Sequence, residues 1–579
     1  MNSTPIAMHS SASDHSLDKA LLLLVAAGCM SFWLHLRADP PWNNVLGEFT
    51  DEANYTGNVQ SCVKLGKWSV NWLDNVWACP LYQGALLFVA RLVGKADYLS
   101  LRIVASGLAT VLLAAFALIA RRCFGSRGAI WAVALMAANS VFLALYRNFG
   151  AETGVVLCLL SGYWFLSGRG IANYALAGLL FCLAIGMKLS GVYGIAGAGI
   201  FVLWGLMRRR IGVREAIAIA APLALGAGVA MLAWSVKRGD WEINFQLQRL
   251  ISKRTALSLG ERFIRVIVNC HLLRDPGFWI PFALTCLWLP DWLVRRLPAI
   301  WKGQCDERSE LLTFAMLLES AGVVVMCLLN PENVIRRMVF LLVPMCLLFP
   351  RCFEREGDES SPGRLGWSVV ACMAVYSGLL AIWSFRCYAD YFMLSRAWVS
   401  KTEFKGGIAI SPFWAILPAL CLLLSFGRGR KNVRRGVTGA AIVLFASWSC
   451  LTTGRYIMRP TFTVVEAGRS LREFVRRGDC MWFNLEEGNQ GFVLSLENDA
   501  VPMFILPNSS LEFQRTDRSV TPRLLSRTVG RYTTWQWGQW KERKPPPAPI
   551  ETELRLIRLV PNPMGVPSHE VAVEVLRRP

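Results

Sequence analysis

Long apolar runs separated by short polar connections dominate the first 452 residues of the chain. A transmembrane helix needs about 20 predominantly apolar residues, and most of these runs approach that length. About thirteen spans are predicted, at residues 19–36, 99–120, 128–146, 152–168, 172–187, 189–207, 213–235, 277–294, 310–329, 338–350, 366–385, 409–427 and 435–452. The pattern predicts a polytopic α-helical membrane protein whose two ends lie on opposite sides of the membrane.

Basic residues in the short connections predict the orientation, because Lys and Arg accumulate in cytoplasmic loops. With the N-terminus inside, twenty Lys and Arg residues fall in six cytoplasmic connections within 121–127, 169, 208–214, 295–308, 351–364 and 428–435. The short turns on the opposite side hold only Arg147, Lys188, Arg336 and Arg337. We therefore predict a cytoplasmic N-terminus and an extracytoplasmic C-terminus.

The same pattern divides the chain into three parts. Residues 1–18 are a polar cytoplasmic tail, and the run from Leu21 to Leu36 is predicted to be an uncleaved first helix, because no small-residue cleavage site follows it. Residues 19–452 form the transmembrane module, with a first external loop at 37–98. After residue 452 the apolar spans stop, and residues 453–579 are predicted to form a small extracytoplasmic α/β domain.

A second external loop, at residues 237–276, alternates basic with apolar residues. This pattern predicts amphipathic helix lying in the plane of the lipid headgroups. Two interpretations of its basic residues stay open, namely attraction to anionic lipids and contact with a substrate.

In the C-terminal domain, "TFTVVEAGRSLREFVRRGDCMWF" (461–483) predicts strand, helix and strand, and "VPMFIL", "ELRLIRLV" and "EVAVEV" predict further strands.

Composition supports a membrane protein. The chain is 54% hydrophobic and only 17% charged, which is too apolar for a single soluble core. A net charge of +21 would suit a nucleic-acid-binding protein, but its Lys and Arg lie in clusters between apolar spans, so no nucleic-acid partner is expected. The 17 Cys are scattered without metal-ligand spacing, and a disulfide between Cys62 and Cys79 is left open.

Seven ionisable residues from five separate segments converge on the predicted external face. They are Asp51, Glu52, Arg147, Glu152, Lys188, Arg336 and Arg337. Charged side chains at helix ends often extend to the interface without a further role, and Lys188 in particular is open to that interpretation. The alternative is that they share one functional site.

The acidic cluster in "GEFTDEANYTGNV" (47–59) likewise has two interpretations. One of its acids can cap a helix start, where exposed backbone N–H groups need acceptors. Alternatively, a carboxylate above the membrane can act as a general base while nearby cations stabilise a departing phosphate. The residues alone do not decide between them.

The order of motifs along roughly residues 19–350 resembles the GT-C membrane glycosyltransferases. The similarity is to the branch that holds protein O-mannosyltransferases, the lipid A aminoarabinose transferases and their RgtA-like relatives. The motifs are "TDEANY" (50–55), "CPLYQGALLFVARLVG" (79–94), "SLRIVASGLATVLLAAFALIARRCFG" (100–125), "YRNFGAETG" (146–154), "AIGMKLSG" (184–191) and "RRMVFLLVP" (336–344).

This resemblance implies transfer of a sugar from a polyprenyl-phosphate donor by a single inverting displacement on the extracytoplasmic side of the cell membrane. Asp51 would be the general base, and Glu52 and Glu152 would support it or orient the acceptor. Lys188, Arg336 or Arg337 would neutralise the leaving phosphate. Further donor contacts are predicted for Arg147 and for the motif tyrosines Tyr55 and Tyr82. The acceptor is left open as lipid, polysaccharide or protein.

Two positions depart from the family's pattern. Cys79 stands where relatives commonly carry His or Lys before the Pro of the second motif. Asn54 stands where aminoarabinose transferases usually carry Arg, three residues after the catalytic Asp, which argues against aminoarabinose as the sugar. No D-x-D triplet is present to hold a metal on a nucleotide diphosphate, and only Asp240 and Glu242 form a D-x-E. No cofactor is therefore expected.

Two other classes of protein fit a polytopic chain. A transporter or lipid flippase would have functional charges near the middle of the bilayer and an internal repeat, and neither feature is identified in the sequence. A non-catalytic membrane scaffold would only present the C-terminal domain.

Overall fold

The computed structural model describes most of the helical region and the strands of the C-terminal region. The described residues are 12–34, 36, 56–66, 79–137, 139, 142, 146, 150–238, 258–269, 276–329, 334–352, 469, 472, 480–484, 498–499, 501–505, 524–530, 533–536, 539–542, 555–556 and 571–577.

Helices make up almost all of the described residues before 353. In chain order they are α1 (Ala12–Trp33), α2 (Gly57–Leu65), α3 (Pro80–Val93), α4 (Tyr98–Ala137), α5 (Gly150–Leu166), α6 (Ile171–Met187), α7 (Val192–Met207), α8 (Val213–Arg238), α9 (Leu259–Asn269), α10 (Pro276–Arg295), α11 (Leu297–Trp301), α12 (Arg308–Leu329) and α13 (Val334–Leu347). Short 3₁₀ turns lie at Leu189–Gly191 and Phe349–Cys352.

Apolar composition makes several of these helices candidates for crossing a membrane. Three are both long and apolar enough, at His15–Trp33, Tyr98–Ala137 and Arg308–Leu329. Shorter apolar helices include α3, α5, α6 and α7. The predicted helical, membrane-type fold is thus supported, while the number of spans and their orientation stay predictions. The predicted spans at 366–385, 409–427 and 435–452 lie outside the described residues.

Helix α4 is two helical segments that meet at Gly125, whose φ of 66° and ψ of 179° are not helical. The break lies between the predicted spans 99–120 and 128–146. The first turn of α4 is capped by Asp97, whose Oδ1 accepts hydrogen bonds from the backbone N and the Oγ of Ser100 at 3.0 and 2.9 Å. Burial acts to raise the pKa of Asp97, but these hydrogen bonds and Lys95 outweigh it, so the pKa is lowered.

The core of the bundle lies where α4 packs on α1 and α5, and where α7 packs on α12. Aromatic side chains fill it, including a cluster of Phe201, Trp204 and Phe314 with ring centroids 5.2–5.9 Å apart. Small residues let the backbones approach, as is common between membrane helices. At Gly197 of α7 an added Cβ would lie 2.5 Å from the backbone N of Glu319 on α12.

Ion pairs join the connections at the end of the bundle that carries the predicted cytoplasmic loops. Asp306 contacts both Arg169 and Arg210. Glu310 accepts from Arg351 Nη1 at 2.9 Å and from Trp292 Nε1 at 2.6 Å. Burial lowers the pKa of Arg210. These contacts fix the α5–α6, α7–α8 and α11–α12 connections to one another.

Helix α9 lies within the segment predicted to be amphipathic. Ser258 and Glu261 cap its start reciprocally, with the backbone N of Ser258 2.8 Å from Glu261 Oε2 and the backbone N of Glu261 3.3 Å from Ser258 Oγ. Val266 is buried, whereas Leu259 and Phe263 are exposed. Its placement in the headgroup plane stays a prediction, and the rest of 237–276 is described only at 237–238, 258 and 276.

The described strands of the C-terminal region form two sheets. The strands are β1 (Cys480–Asn484), β2 (Val501–Ile505), β3 (Leu524–Gly530), β4 (Thr533–Gln536), β5 (Gln539–Glu542), β6 (Arg555–Leu556) and β7 (Val571–Arg577). The larger sheet has the order β2-β1-β3-β7-β6, with β1 parallel to β2 and β3, and β7 antiparallel to β3. Strands β4 and β5 form a hairpin. The domain boundary at 453 and the helix predicted before β1 stay predictions.

Candidate active site

A buried ion pair joins two of the predicted site residues, Glu152 and Lys188. Lys188 Nζ contacts Glu152 Oε1, and their side chains are only 12% and 4% exposed, respectively. Glu152 lies in the first turn of α5, where the helix dipole favours a carboxylate. Its second oxygen, Oε2, is buried and has no hydrogen-bond partner. The pair therefore leaves one carboxylate oxygen unsatisfied inside the protein.

Lys188 lies where the chain breaks between α6 and α7. Its backbone is extended, with φ −163° and ψ 138°, so it ends α6. The 3₁₀ turn at Leu189–Gly191 follows, and a Cβ at Gly191 would lie 2.7 Å from the backbone O of Ala184. Only glycine fits this close approach without displacement. The Oγ of Ser190 in this turn is also buried and has no hydrogen-bond partner.

Tyr82 lies beside the same break. It is on α3 and is 1% exposed. A Cβ at Gly150, two residues before Glu152, would lie 2.6 Å from its ring. The side chain of the preceding residue, Leu81, packs against Gly186 on α6. A Cβ added at Gly186 would lie 2.6 Å from Leu81 Cδ1. The start of α3 is therefore fitted against the start of α5 and the end of α6.

Backbone topology places Arg336 and Arg337 at this end of the bundle. Helices α7 and α12 pack in opposite directions, because Gly197 meets Glu319 whereas Gly322, further along α12, meets Tyr193. The C-terminal end of α12 thus lies near the N-terminal end of α7, beside Lys188. Helix α13 begins five residues after α12 ends, and both arginines are in its first turn.

Four predicted residues lie outside the described residues: Asp51, Glu52, Tyr55 and Arg147. Helix α2 begins shortly after the first three and packs against α3. Asp51 is five positions before Thr56, and five extended residues span about 17 Å. Chain length alone therefore keeps Asp51 within about 17 Å of Thr56.

Sequence reasoning missed Arg102, a fully buried cation on α4 at 0% exposure. Its Nη2 donates to the hydroxyl of Tyr98, and its guanidinium carbon lies 4.8 Å from the centroid of that ring. Nearby, Ser106 Oγ donates to the backbone O of Phe32 at 2.9 Å, so α1 ends beside the start of α4. The available signal was a cation within an apolar run, the Arg of "SLRIVASGLATVLLAAFALIARRCFG" (100–125).

Glu319, near the middle of α12, was also missed. It is 4% exposed, and its Oε2 is buried without a hydrogen-bond partner. A lone acid in the centre of an apolar span was visible in the sequence.

The described residues were predicted to hold no metal, and the pairing of Cys62 with Cys79 stays open. No group of three or more His, Cys, Asp or Glu in that part of the chain is arranged to hold a metal ion. Arg91 Nη2 lies 3.5 Å from Cys62 Sγ, and Gln83 Nε2 lies 3.7 Å from Cys79 Sγ. Asp240 and Glu242 lie outside the described residues, and independence of a cofactor stays a prediction.

The family model for dolichyl-phosphate-mannose-protein mannosyltransferase matches residues 79–234, a segment that includes Tyr82, Glu152 and Lys188. No curated protein sequence shows a significant match to the chain.

Two solved structures share the fold over nearly the whole chain. ArnT from Cupriavidus metallidurans, bound to undecaprenyl phosphate, matches with a TM-score of 0.58 at 13% identity, covering 96% of this chain and 98% of ArnT. The apo state of the same protein gives a TM-score of 0.54 at 14% identity, covering 97% and 98%.

Together the family match and the shared fold indicate a membrane glycosyltransferase, which confirms the predicted class of enzyme. More narrowly, they indicate the GT-C superfamily, so the predicted resemblance is confirmed as well.

Proposed function

We propose that the chain is an inverting glycosyltransferase that moves a sugar from a polyprenyl-phosphate donor to an acceptor on the extracytoplasmic side of the cell membrane. The observation that carries this proposal is the buried Glu152–Lys188 ion pair at one end of an apolar helical bundle. Burying two charges is costly, and such pairs inside membrane proteins mark functional sites. A polyprenyl phosphate, the lipid seen on ArnT, would bring its anionic headgroup to that end of the bundle.

In the proposed reaction, an acceptor hydroxyl or amine attacks the anomeric carbon of the donor sugar. Asp51 takes the acceptor's proton as the new bond forms from the acceptor atom to that carbon. The bond from the anomeric carbon to the phosphate oxygen breaks at the same time, on the opposite face, which inverts the configuration. The electron pair leaves with the polyprenyl phosphate.

Negative charge develops on the departing phosphate, so fixed cations beside it accelerate the step. Lys188 is the described cation best placed for this role, and Arg336 and Arg337 begin a helix at the same end of the bundle. Glu152 and Glu52 orient Asp51 or the acceptor. Tyr55, Tyr82 and Arg147 contact the donor.

The test is lipid analysis of a deletion strain. We expect the strain to accumulate a polyprenyl-phosphate sugar, detected by mass spectrometry of extracted lipids, because the donor is made but not consumed. Complementation with the wild-type chain should remove the accumulated lipid. Asp51→Asn, which keeps the shape of the side chain but removes its basicity, should leave the lipid accumulated although the protein inserts at normal abundance.

A different outcome would favour a carrier or a scaffold. Either of these should be largely indifferent to Asp51→Asn, so full complementation by that variant contradicts the proposal. Glu319 is one charge near the middle of a span, as a carrier would have. Glu319 lies where α7 and α12 cross. The complementation experiment also tests the carrier alternative, because accumulation of lipid in a strain that lacks a carrier would not depend on Asp51.

A further inference from the structure

The Glu152–Lys188 ion pair lies where the proposed function needs a cation for phosphate. Lys188 Nζ contacts Glu152 Oε1, and both side chains are nearly inaccessible to water. A phosphate that approaches Lys188 while the Glu152 carboxylate stays on the same ammonium is repelled by that carboxylate, because like charges repel more strongly away from water. The two anions therefore compete for Lys188.

The ion pair leaves polar atoms of this region without hydrogen bonds. Glu152 Oε2 and Ser190 Oγ are both buried and have no hydrogen-bond partner, and Ser190 is two residues after Lys188 in the chain. Leaving a buried polar atom unpaired is destabilising. An arriving phosphate would accept a hydrogen bond from the Ser190 hydroxyl.

The backbone around Ser190 also suits an anion. The turn at Leu189–Gly191 leads directly into α7, whose first residue is Val192, and the first N–H groups of a helix attract negative charge. Lys188, Ser190 and this helix start thus lie within five consecutive residues. The cation, a hydroxyl donor and backbone N–H groups are the components of a phosphate site.

We propose, resting on the proposed function, that Glu152 is a built-in competitor of the donor phosphate. In the resting enzyme the Glu152 carboxylate is paired with Lys188. When a polyprenyl phosphate binds, Lys188 exchanges the carboxylate for the phosphate, and Ser190 becomes a second donor to it. The exchange frees Glu152 to orient the acceptor only when a donor is present, and restoration of the pair helps to expel the product polyprenyl phosphate.

The experiment measures binding of undecaprenyl phosphate to the purified full-length protein by native mass spectrometry, with undecaprenol as the uncharged comparison. Glu152→Gln keeps the shape of the side chain and removes the competing charge. We expect it to bind undecaprenyl phosphate about tenfold more tightly than the wild type, equivalent to about 1.4 kcal/mol. Undecaprenol binding should not change.

Ser190→Ala is the second variant, and it should weaken undecaprenyl phosphate binding several-fold without changing undecaprenol binding. Glu310→Gln is the matched control. Glu310 is also 4% exposed and paired with an arginine, but it lies at the opposite end of the bundle. Its substitution should leave the affinity for both lipids unchanged.

If Glu152→Gln binds undecaprenyl phosphate as tightly as the wild type or more weakly, the proposed competition is wrong. The carboxylate would then only hold Lys188 in place. An equal gain in Glu310→Gln overturns it too, because the effect would not be local. If the wild type binds undecaprenyl phosphate no better than undecaprenol, the proposed function itself fails. These outcomes separate the two proposals.

Discussion

Lys188 and Glu152 each carry a charge that the helical bundle holds away from water. The sequence predicted both residues as members of a site, but it left open whether Lys188 simply extends to the lipid headgroups. The structure shows that Lys188 pairs with Glu152, 36 positions earlier in the chain, so its positive charge is compensated within the protein. Sequence alone could not provide this pairing, because it depends on the packing of α5 against α6.

We expect Lys188→Met to lower the stability of the folded protein by about 3 kcal/mol, because it leaves the Glu152 carboxylate buried without its cation. The measurement is thermal unfolding of the purified protein in detergent. Combining Lys188→Met with Glu152→Gln removes both charges, so the double variant should recover most of the lost stability but not the sugar transfer. A Lys188→Met protein as stable as the wild type would contradict the buried ion pair.

At the scale of the helix, close crossings depend on glycine at particular positions. Apolar runs predicted where helices lie, and α5, α6 and α12 closely follow predicted spans. The non-helical Gly125 divides α4 between the predicted spans 99–120 and 128–146. The apolar pattern did not show which helices cross, because an apolar membrane helix has no polar face from which to infer its neighbours.

Gly197 and Gly199 on α7 provide a matched pair for testing one crossing. A Cβ at Gly197 would lie 2.5 Å from the backbone N of Glu319, whereas nothing lies within 4 Å of a Cβ at Gly199. We expect Gly197→Ala to destabilise the protein by about 1–3 kcal/mol through overpacking. Gly199→Ala should be neutral or slightly stabilising, since alanine favours helix. Thermal unfolding of both variants checks this, and equal stabilities would refute the crossing of α7 and α12.

For the whole molecule, the GT-C-like architecture could be predicted because the motifs kept their order along the chain. The sheet order β2-β1-β3-β7-β6 could not, because it joins strands from residues 480 to 577 through pairings with no local signal. The sequence also gave no sign that β2 contacts α2, the helix that follows the acidic cluster. That contact brings the C-terminal region close to the first external loop.

The proposed reaction requires Asp51 and Lys188 to face one cavity in which a polyprenyl phosphate binds. The decisive measurement is an experimental structure of the full chain in lipid nanodiscs with bound undecaprenyl phosphate. We expect a phosphate within hydrogen-bond distance of Lys188 Nζ, with the Asp51 carboxylate directed into the same cavity. An Asp51 side chain directed into bulk solvent, remote from Lys188 and from the lipid headgroup, would contradict it.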